Sequence, residues 1–142
     1  MKQDIIYVLD FGSQYSHLIA RRIREAGVFA ELVGPKFPLE KLKEAKGIIF
    51  SGGPQNLSES SALRVDKRVF VLVVPIWGIC YGLQLIAHEL GGKGKSSNKR
   101  EYGSASVTIR KALGILQGLG NKERTWMSHG DHVSLVPKGF VV

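Results

Sequence analysis

The sequence predicts an α/β fold: a central, mostly parallel sheet with helices on both faces, followed by a β-rich extension. Two observations carry this expectation. Short continuous apolar runs such as Ile5–Leu9 and Gly47–Phe50 alternate with segments of helical periodicity through the first two-thirds of the chain, as parallel strands linked by helices do. Beyond Gly91-Gly92 the texture changes to short alternating segments, Ser104–Ile109 and Arg124–Ser128, separated by polar loops.

Taken in order, Ile5–Leu9 is closed by Asp10, Gly12 and Ser13 and reads as a strand buried on both faces. A helix is expected over Tyr15–Ala26, where Ile19, Ile23 and Ala26 recur at helical spacing, Arg21, Arg22 and Glu25 take other faces, and Gly27 stands at the end. Phe29–Val33 reads as the second strand, Gly34 to Pro38 as a loop and Leu39–Ala45 as a short helix. The third strand, Gly47–Phe50, stops at Ser51-Gly52-Gly53-Pro54. Gln55–Arg68 is polar and announces no element, and Val69–Val74 is apolar. After Pro75, the strand-like Ile76-Trp77 leads into Gly78-Ile79-Cys80-Tyr81-Gly82. A helix follows to Leu90, with Leu83, Ile86, Ala87 and Leu90 expected as its inward stripe.

With 142 residues, 44% of them hydrophobic, the chain is expected to form one domain over 1–142. No apolar run reaches the length of a membrane span, and the start at Met1-Lys2-Gln3-Asp4 lacks the pattern of a secretory signal. A cytoplasmic location and no membrane partner are the expectation. A single cysteine excludes an intramolecular disulfide framework and a cysteine-rich zinc site; no metal is expected. The net charge of +8 raises the question of nucleic acid, but the 20 Lys and Arg are dispersed and mixed with acids, as in Arg21-Arg22-Ile23-Arg24-Glu25. A solvated basic surface and no nucleic-acid partner are expected.

Asp10–Ser13, Ser51–Pro54, Gly78–Gly82 and Ser128-His129-Gly130-Asp131 each follow an expected strand. Ligands of open α/β sheets bind at those carboxyl ends, so the four motifs are expected to converge on one crevice. Gly78-Ile79-Cys80-Tyr81-Gly82 has the Gly-x-nucleophile-x-Gly form of a strained strand-to-helix turn that lifts one side chain above the sheet. Cys80 is also placed at a helix N-terminus, where partial positive charge favours the thiolate. A buried structural cysteine is the alternative; the flanking strand, helix and glycines favour a nucleophile. Such a nucleophile needs donors for the oxyanion, usually the amide just after it and one from another loop, and Tyr81 and Gly53 fit.

Five ordered motifs resemble those of the amidotransferase domains of GMP synthetases, within the class I glutamine amidotransferases: Asp10-Phe11-Gly12-Ser13-Gln14-Tyr15, Ser51–Pro54, Gly78–Gln84, Lys99-Arg100-Glu101-Tyr102-Gly103 and Trp126–Asp131. The resemblance implies a flavodoxin-like fold and glutamine hydrolysis through a Cys80 thioester. It implies that the Gly53 and Tyr81 amides hold the oxyanion, and that Gln84, Ser128, His129 and Gly130 bind the amino-acid end of glutamine. Asp10 and Gln14 receive no role. The implied partner is an ATP-pyrophosphatase synthetase domain, fused or separate, that takes the ammonia and activates XMP. ATP and Mg are expected only there, because this chain has no Ser-Gly-Gly-Val-Asp-Ser-type loop; no cofactor is expected in the chain itself.

The His-x-Glu that completes the triad in this family does not occur after Asp131. His17 and His88 are expected on helices, His129 in a substrate-binding segment and His132 in a solvated loop, so none is read as the base. Gly139-Phe140-Val141-Val142 reads as a strand entering a core, and the chain is expected to be incomplete at that end. The competing expectations are an inactive amidotransferase-like domain that docks on and regulates a synthetase, a basic nucleic-acid module, and a γ-glutamyl hydrolase on a similar fold.

Overall fold

A computed structural model gives the structure of the chain and describes residues 3–142, apart from the side chains of residues 97–101 and 129. Strands β1 (Ile5–Leu9), β2 (Phe29–Val33), β3 (Gly47–Phe50) and β4 (Ile76–Gly78) form one parallel sheet in the order β2-β1-β3-β4. β1 is central, with Val8 in register with Leu32 on one side and Ile49 on the other. Successive side chains of a strand point to opposite faces, so its apolar run feeds two cores. Val8, with Ala30 and Ile49, meets Ala20, Ile19 and Ile23 of α1 (Ser16–Glu25) on one face. Tyr7 and Leu9, with Ile48 and Phe50, meet Leu42, Val69, Leu85 and Ile86 on the other. The expected parallel sheet with helices on both faces is thereby found.

Several boundaries and faces differ from expectation. α2 is a single turn, Leu39–Leu42. The apolar run at Val69–Val74 is entered by a 3-10 helix, Lys67–Val71, whose first turn is capped by the Asp66 carboxylate accepting from the Arg68 amide at 2.9 Å. In α3 (Tyr81–Glu89) the buried face is Tyr81, Gly82, Leu85, Ile86 and Ala87, while Leu83 and Leu90 of the expected stripe are exposed. The reason lies at Gly82, which presses on Phe50 of β3 so closely that a Cβ there would overlap the Phe50 carbonyl oxygen. Periodicity finds a helix but not which of two adjacent stripes the tightest contact selects. At the end of the chain, 136–142 forms no strand, and Phe140, Val141 and Val142 are exposed.

The β-rich extension is one antiparallel ribbon, β5 (Lys93–Thr108) with β6 (Lys122–Leu135), longer than the two segments expected. Among the described residues, no side chain of either strand is buried. A ribbon wet on both faces needs no regular polar-apolar alternation, which is why the pattern betrays only parts of it. It joins the sheet domain at α3: a Cβ on Gly92 would sit 2.6 Å from the Leu135 carbonyl oxygen.

The polar stretch after β3 is tied down by side chains. Gln55 accepts from the Leu63 amide at 2.9 Å and donates to the Ser61 carbonyl at 3.0 Å. Arg64 donates to the Leu57 carbonyl at 2.8 Å and to Glu89 Oε1 at 3.2 Å. The Glu89 side chain, 6% exposed, also has Lys67 Nζ 3.0 Å from Oε2, an ion pair outside hydrogen-bond alignment. Arg64→Ala therefore leaves a nearly buried carboxylate with one poorly aligned cation. It is expected to lower the unfolding free energy by about 1–3 kcal/mol, measured by urea denaturation; a change within error would show that water replaces Arg64 fully.

Candidate active site

The site is assembled from the loops after β3 and β4 and from the middle of the ribbon; of the four motifs expected in one crevice, Asp10–Ser13 does not line it but packs behind the loop after β3. After β1, Asp10 Oδ1 accepts from the Gly12 amide at 2.9 Å and from the Ser16 hydroxyl at 2.8 Å. The first bond closes a turn in which Gly12 has φ +92°. This gives Asp10 a local structural task. After β3, the fully buried Ser51 accepts from the Phe11 amide at 3.0 Å and donates to the Gly52 carbonyl at 2.9 Å, so the first two loops are stitched together. Gly53 lies against Phe11, where a Cβ would stand 2.5 Å from the carbonyl oxygen, and a Cβ on Gly52 would stand 3.5 Å from Cys80 Cβ.

After β4 the chain reverses at Cys80, which has φ +49° and ψ −111°. That is a conformation L-residues avoid, at a cost of about 1–3 kcal/mol, and it persists because the neighbours leave no alternative. Ile79 donates to Phe50 O at 2.9 Å, Gly82 donates to Ser51 O at 3.1 Å, and Gln84 donates to Cys80 O at 3.1 Å. A Cβ on Gly78 would fall 2.6 Å from the Leu83 backbone. The glycine on each side of Cys80 is thus a steric requirement of the elbow. The amides of Gly53 and Tyr81 have no acceptor among the described residues.

Cys80 is half-buried, and that burial pushes its thiol above the ordinary value. The shift runs opposite to the thiolate expected from the helix N-terminus, and its cause is desolvation of the sulfur. Alkylation of Cys80 by iodoacetamide is therefore expected to keep rising with pH through and beyond the range in which free cysteine levels off. A rate already saturated near neutrality would contradict this. For stability the sign follows: the neutral thiol is favoured in the fold, so its contribution is present at lower pH and lost as pH rises through the folded value.

Cys80, Tyr81, Gly53 and Gln84 line a cleft of about 670 Å³ with Asn56, Glu59, Tyr102, Ser128, Gly130 and Asp131. Ser128–Asp131 does not follow a strand, as expected, but lies inside β6. It reaches the cleft because the ribbon leans on α3, where Gln84 Nε2 donates to the Asp131 carbonyl at 3.2 Å. Position 129 pairs with Glu101 in the ladder; the side chain of His129, and those of Lys99 to Glu101 in the fourth motif, lie outside the described residues. His17, His88 and His132 are exposed. His132 stands in β6 opposite Lys95 and not in a loop. Among the described side chains lining the cleft there is no imidazole. Asn56 and Glu59 carry no sequence signal that separates them from any polar loop; Tyr102 and Asp131 are visible only as parts of their motifs.

The fold and this cysteine elbow define a class. The sequence matches the class I glutamine amidotransferase family over residues 7–142, and the chain belongs to that family. Within it, the chain is 49% identical over 142 residues to a glutamine-hydrolysing GMP synthase of Lactobacillus acidophilus, across 98% of this chain and 28% of that protein. It is likewise 49% identical over 144 residues to the glutamine-hydrolysing GMP synthase of Geobacillus kaustophilus, again 28% of its length. The chain thus spans little more than a quarter of these curated relatives. A crystal structure from Thermoplasma acidophilum, described as that of a candidate GMP synthase component, superimposes with a TM-score of 0.81 at 28% identity, over 99% of this chain and 72% of that one. A glutamine amidotransferase from Thermotoga maritima shares the fold, with a TM-score of 0.67 at 18% identity, over 96% of this chain and 64% of that one. No helix among the described residues is long and apolar enough to cross a membrane.

Proposed function

We propose that the chain is the glutamine-hydrolysing part of a GMP synthase. The observation that carries this reading is Cys80, held at a strained elbow in an open cleft beside the amides of Gly53 and Tyr81, which have no acceptor among the described residues. Cys80 attacks the side-chain amide carbon of glutamine, the two amides hold the oxyanion, and collapse of the intermediate releases ammonia and leaves a glutamyl thioester for water to cleave. Gln84, Ser128, His129 and Gly130 hold the amino-acid end. One N–H of Gln84 Nε2 is engaged by Asp131 O, which leaves its amide oxygen and its second N–H for the ligand.

The proton that leaves the thiol must reach the departing ammonia. That transfer is assigned to a His-x-Glu element outside residues 1–142, and without it the reaction slows by about two to four orders of magnitude. The ammonia passes to an ATP-pyrophosphatase unit, fused or separate, that activates XMP with ATP and Mg in the cytoplasm.

The test is a glutamine-analogue diazo-ketone applied to the purified chain, with the adduct mapped by mass spectrometry. Labelling confined to Cys80 and suppressed by glutamine is the expected result. No labelling of a chain shown to be folded would end the glutaminase reading.

A further inference from the structure

We propose that the side chain of Tyr81 is a positioning residue for the oxyanion pocket: its hydroxyl, anchored on the Leu63 carbonyl, fixes the backbone amide that follows Cys80. This rests on the glutaminase reading of the same site and adds to it a brace built from the loop after β3.

Tyr81 is 2% exposed. Its ring packs on Phe11 with centroids 5.4 Å apart, and its hydroxyl donates to the Leu63 carbonyl at 2.5 Å, eighteen residues back in the chain. Phe11 also supplies the carbonyl against which Gly53 is pressed. The two amide donors of the pocket therefore rest on one phenylalanine, one through its ring and the other through its backbone.

Leu63 is itself held. Its amide donates to Gln55, and its neighbour Arg64 bonds the Leu57 carbonyl and Glu89 at the far end of α3. The loop is thus fixed at both ends of the same helix. The residue before Tyr81 is the one with φ +49°, so the anchor stands next to the strained bond, where release would swing the Tyr81 amide. Burial also pushes the phenol up from its ordinary value, which keeps the hydroxyl a donor.

The test separates an effect on the pocket from an effect on the thiol. A diazo-ketone glutamine analogue alkylates the sulfur through its diazo carbon, which takes the thiol proton and loses dinitrogen, while the adjacent carbonyl oxygen sits in the pocket; iodoacetamide needs only the thiol. In Tyr81→Phe the maximal labelling rate by the analogue is expected to fall about tenfold, with the half-saturating concentration and the iodoacetamide rate unchanged. Replacement of Tyr81 by 4-aminophenylalanine, which keeps a ring and a donor, is expected to restore it. A wild-type analogue rate in Tyr81→Phe, or an equal fall with both reagents, would overturn the proposal.

Should Tyr81→Phe fail to fold, Arg64→Ala releases the Leu63 segment while keeping the tyrosine. The same selective loss supports the brace, and an unchanged analogue rate rejects it. Absence of labelling in the unsubstituted chain is a different result, since it removes the glutaminase reading and this inference with it.

Discussion

Replacing Cys80 by alanine abolishes covalent capture of a glutamine-analogue electrophile, and Cys80→Ser is expected to do nearly the same. Serine keeps the size of the side chain, but a hydroxyl becomes a nucleophile only with a base beside it, and no imidazole lines the cleft among the described side chains. Loss of a nucleophile in acyl transfer is worth up to about six orders of magnitude, so both substitutions should drop below detection. Cys80 is the sole cysteine, and intact-mass spectrometry therefore reads the site without background from other thiols. A third substitution separates chemistry from strain. Glycine accepts φ +49° freely, so Cys80→Gly is expected to unfold at a higher temperature, by an amount equivalent to about 1 kcal/mol, while showing no capture at all. Persistent labelling in any of the three would place the reactive group elsewhere.

Gly82→Ala is expected to be the most destabilising single substitution at this site. In a helix, alanine ordinarily improves on glycine by about 1 kcal/mol. Here the added carbon would overlap the Phe50 carbonyl oxygen and stand 2.6 Å from Phe50 Cβ and 2.7 Å from its carbonyl carbon. Those atoms belong to an inner strand of the sheet and cannot rotate away. The helix must lift, and with it the elbow, since Gly82 also donates to Ser51 O at 3.1 Å. A loss of about 3 kcal/mol or more is expected, a large share of the roughly 5–15 kcal/mol that holds a domain of this kind together. Gly34→Ala serves as the control, because nothing lies within 4 Å of a Cβ there. Equal urea midpoints for the two variants would mean that α3 does not sit on β3 so closely.

Much of the sheet could be read from the residues. The bounds of Ile5–Leu9, Phe29–Val33 and Gly47–Phe50 match the strands residue for residue: the first and third are inner strands that leave unbroken apolar runs, whereas Phe29–Val33 is an edge strand with Phe29 and Glu31 exposed, bounded by Gly27 and Gly34. The elbow was legible for a related reason: only glycine fits where β4 turns onto α3, and the spacing of the two glycines marks the place. The ribbon was half legible. Its residues contact water on both sides, so selection for burial leaves no period, and Ser128–Asp131, expected to follow a strand, lies within it. The loop from Gln55 to Arg64 was not legible at all. Its order comes from Gln55, Arg64 and Tyr81 meeting distant backbone carbonyls, and hydrogen bonds of that sort have no local signature.

The two walls of the cleft differ in what holds them. Cys80, Gly53 and Tyr81 stand on the buried sheet, whereas Ser128, Gly130, Asp131 and Tyr102 stand on a ribbon that has a hydrogen-bonded ladder but no buried side chain among its described residues. A ladder of that kind opens at a fraction of the free energy needed to unfold the sheet. Every ligand that touches both walls therefore binds with its intrinsic affinity scaled by the fraction of time the ribbon lies closed. A small reagent that needs only the sulfur escapes the scaling, so anything that clamps the ribbon is expected to tighten a ligand that touches both walls without changing how the thiol reacts.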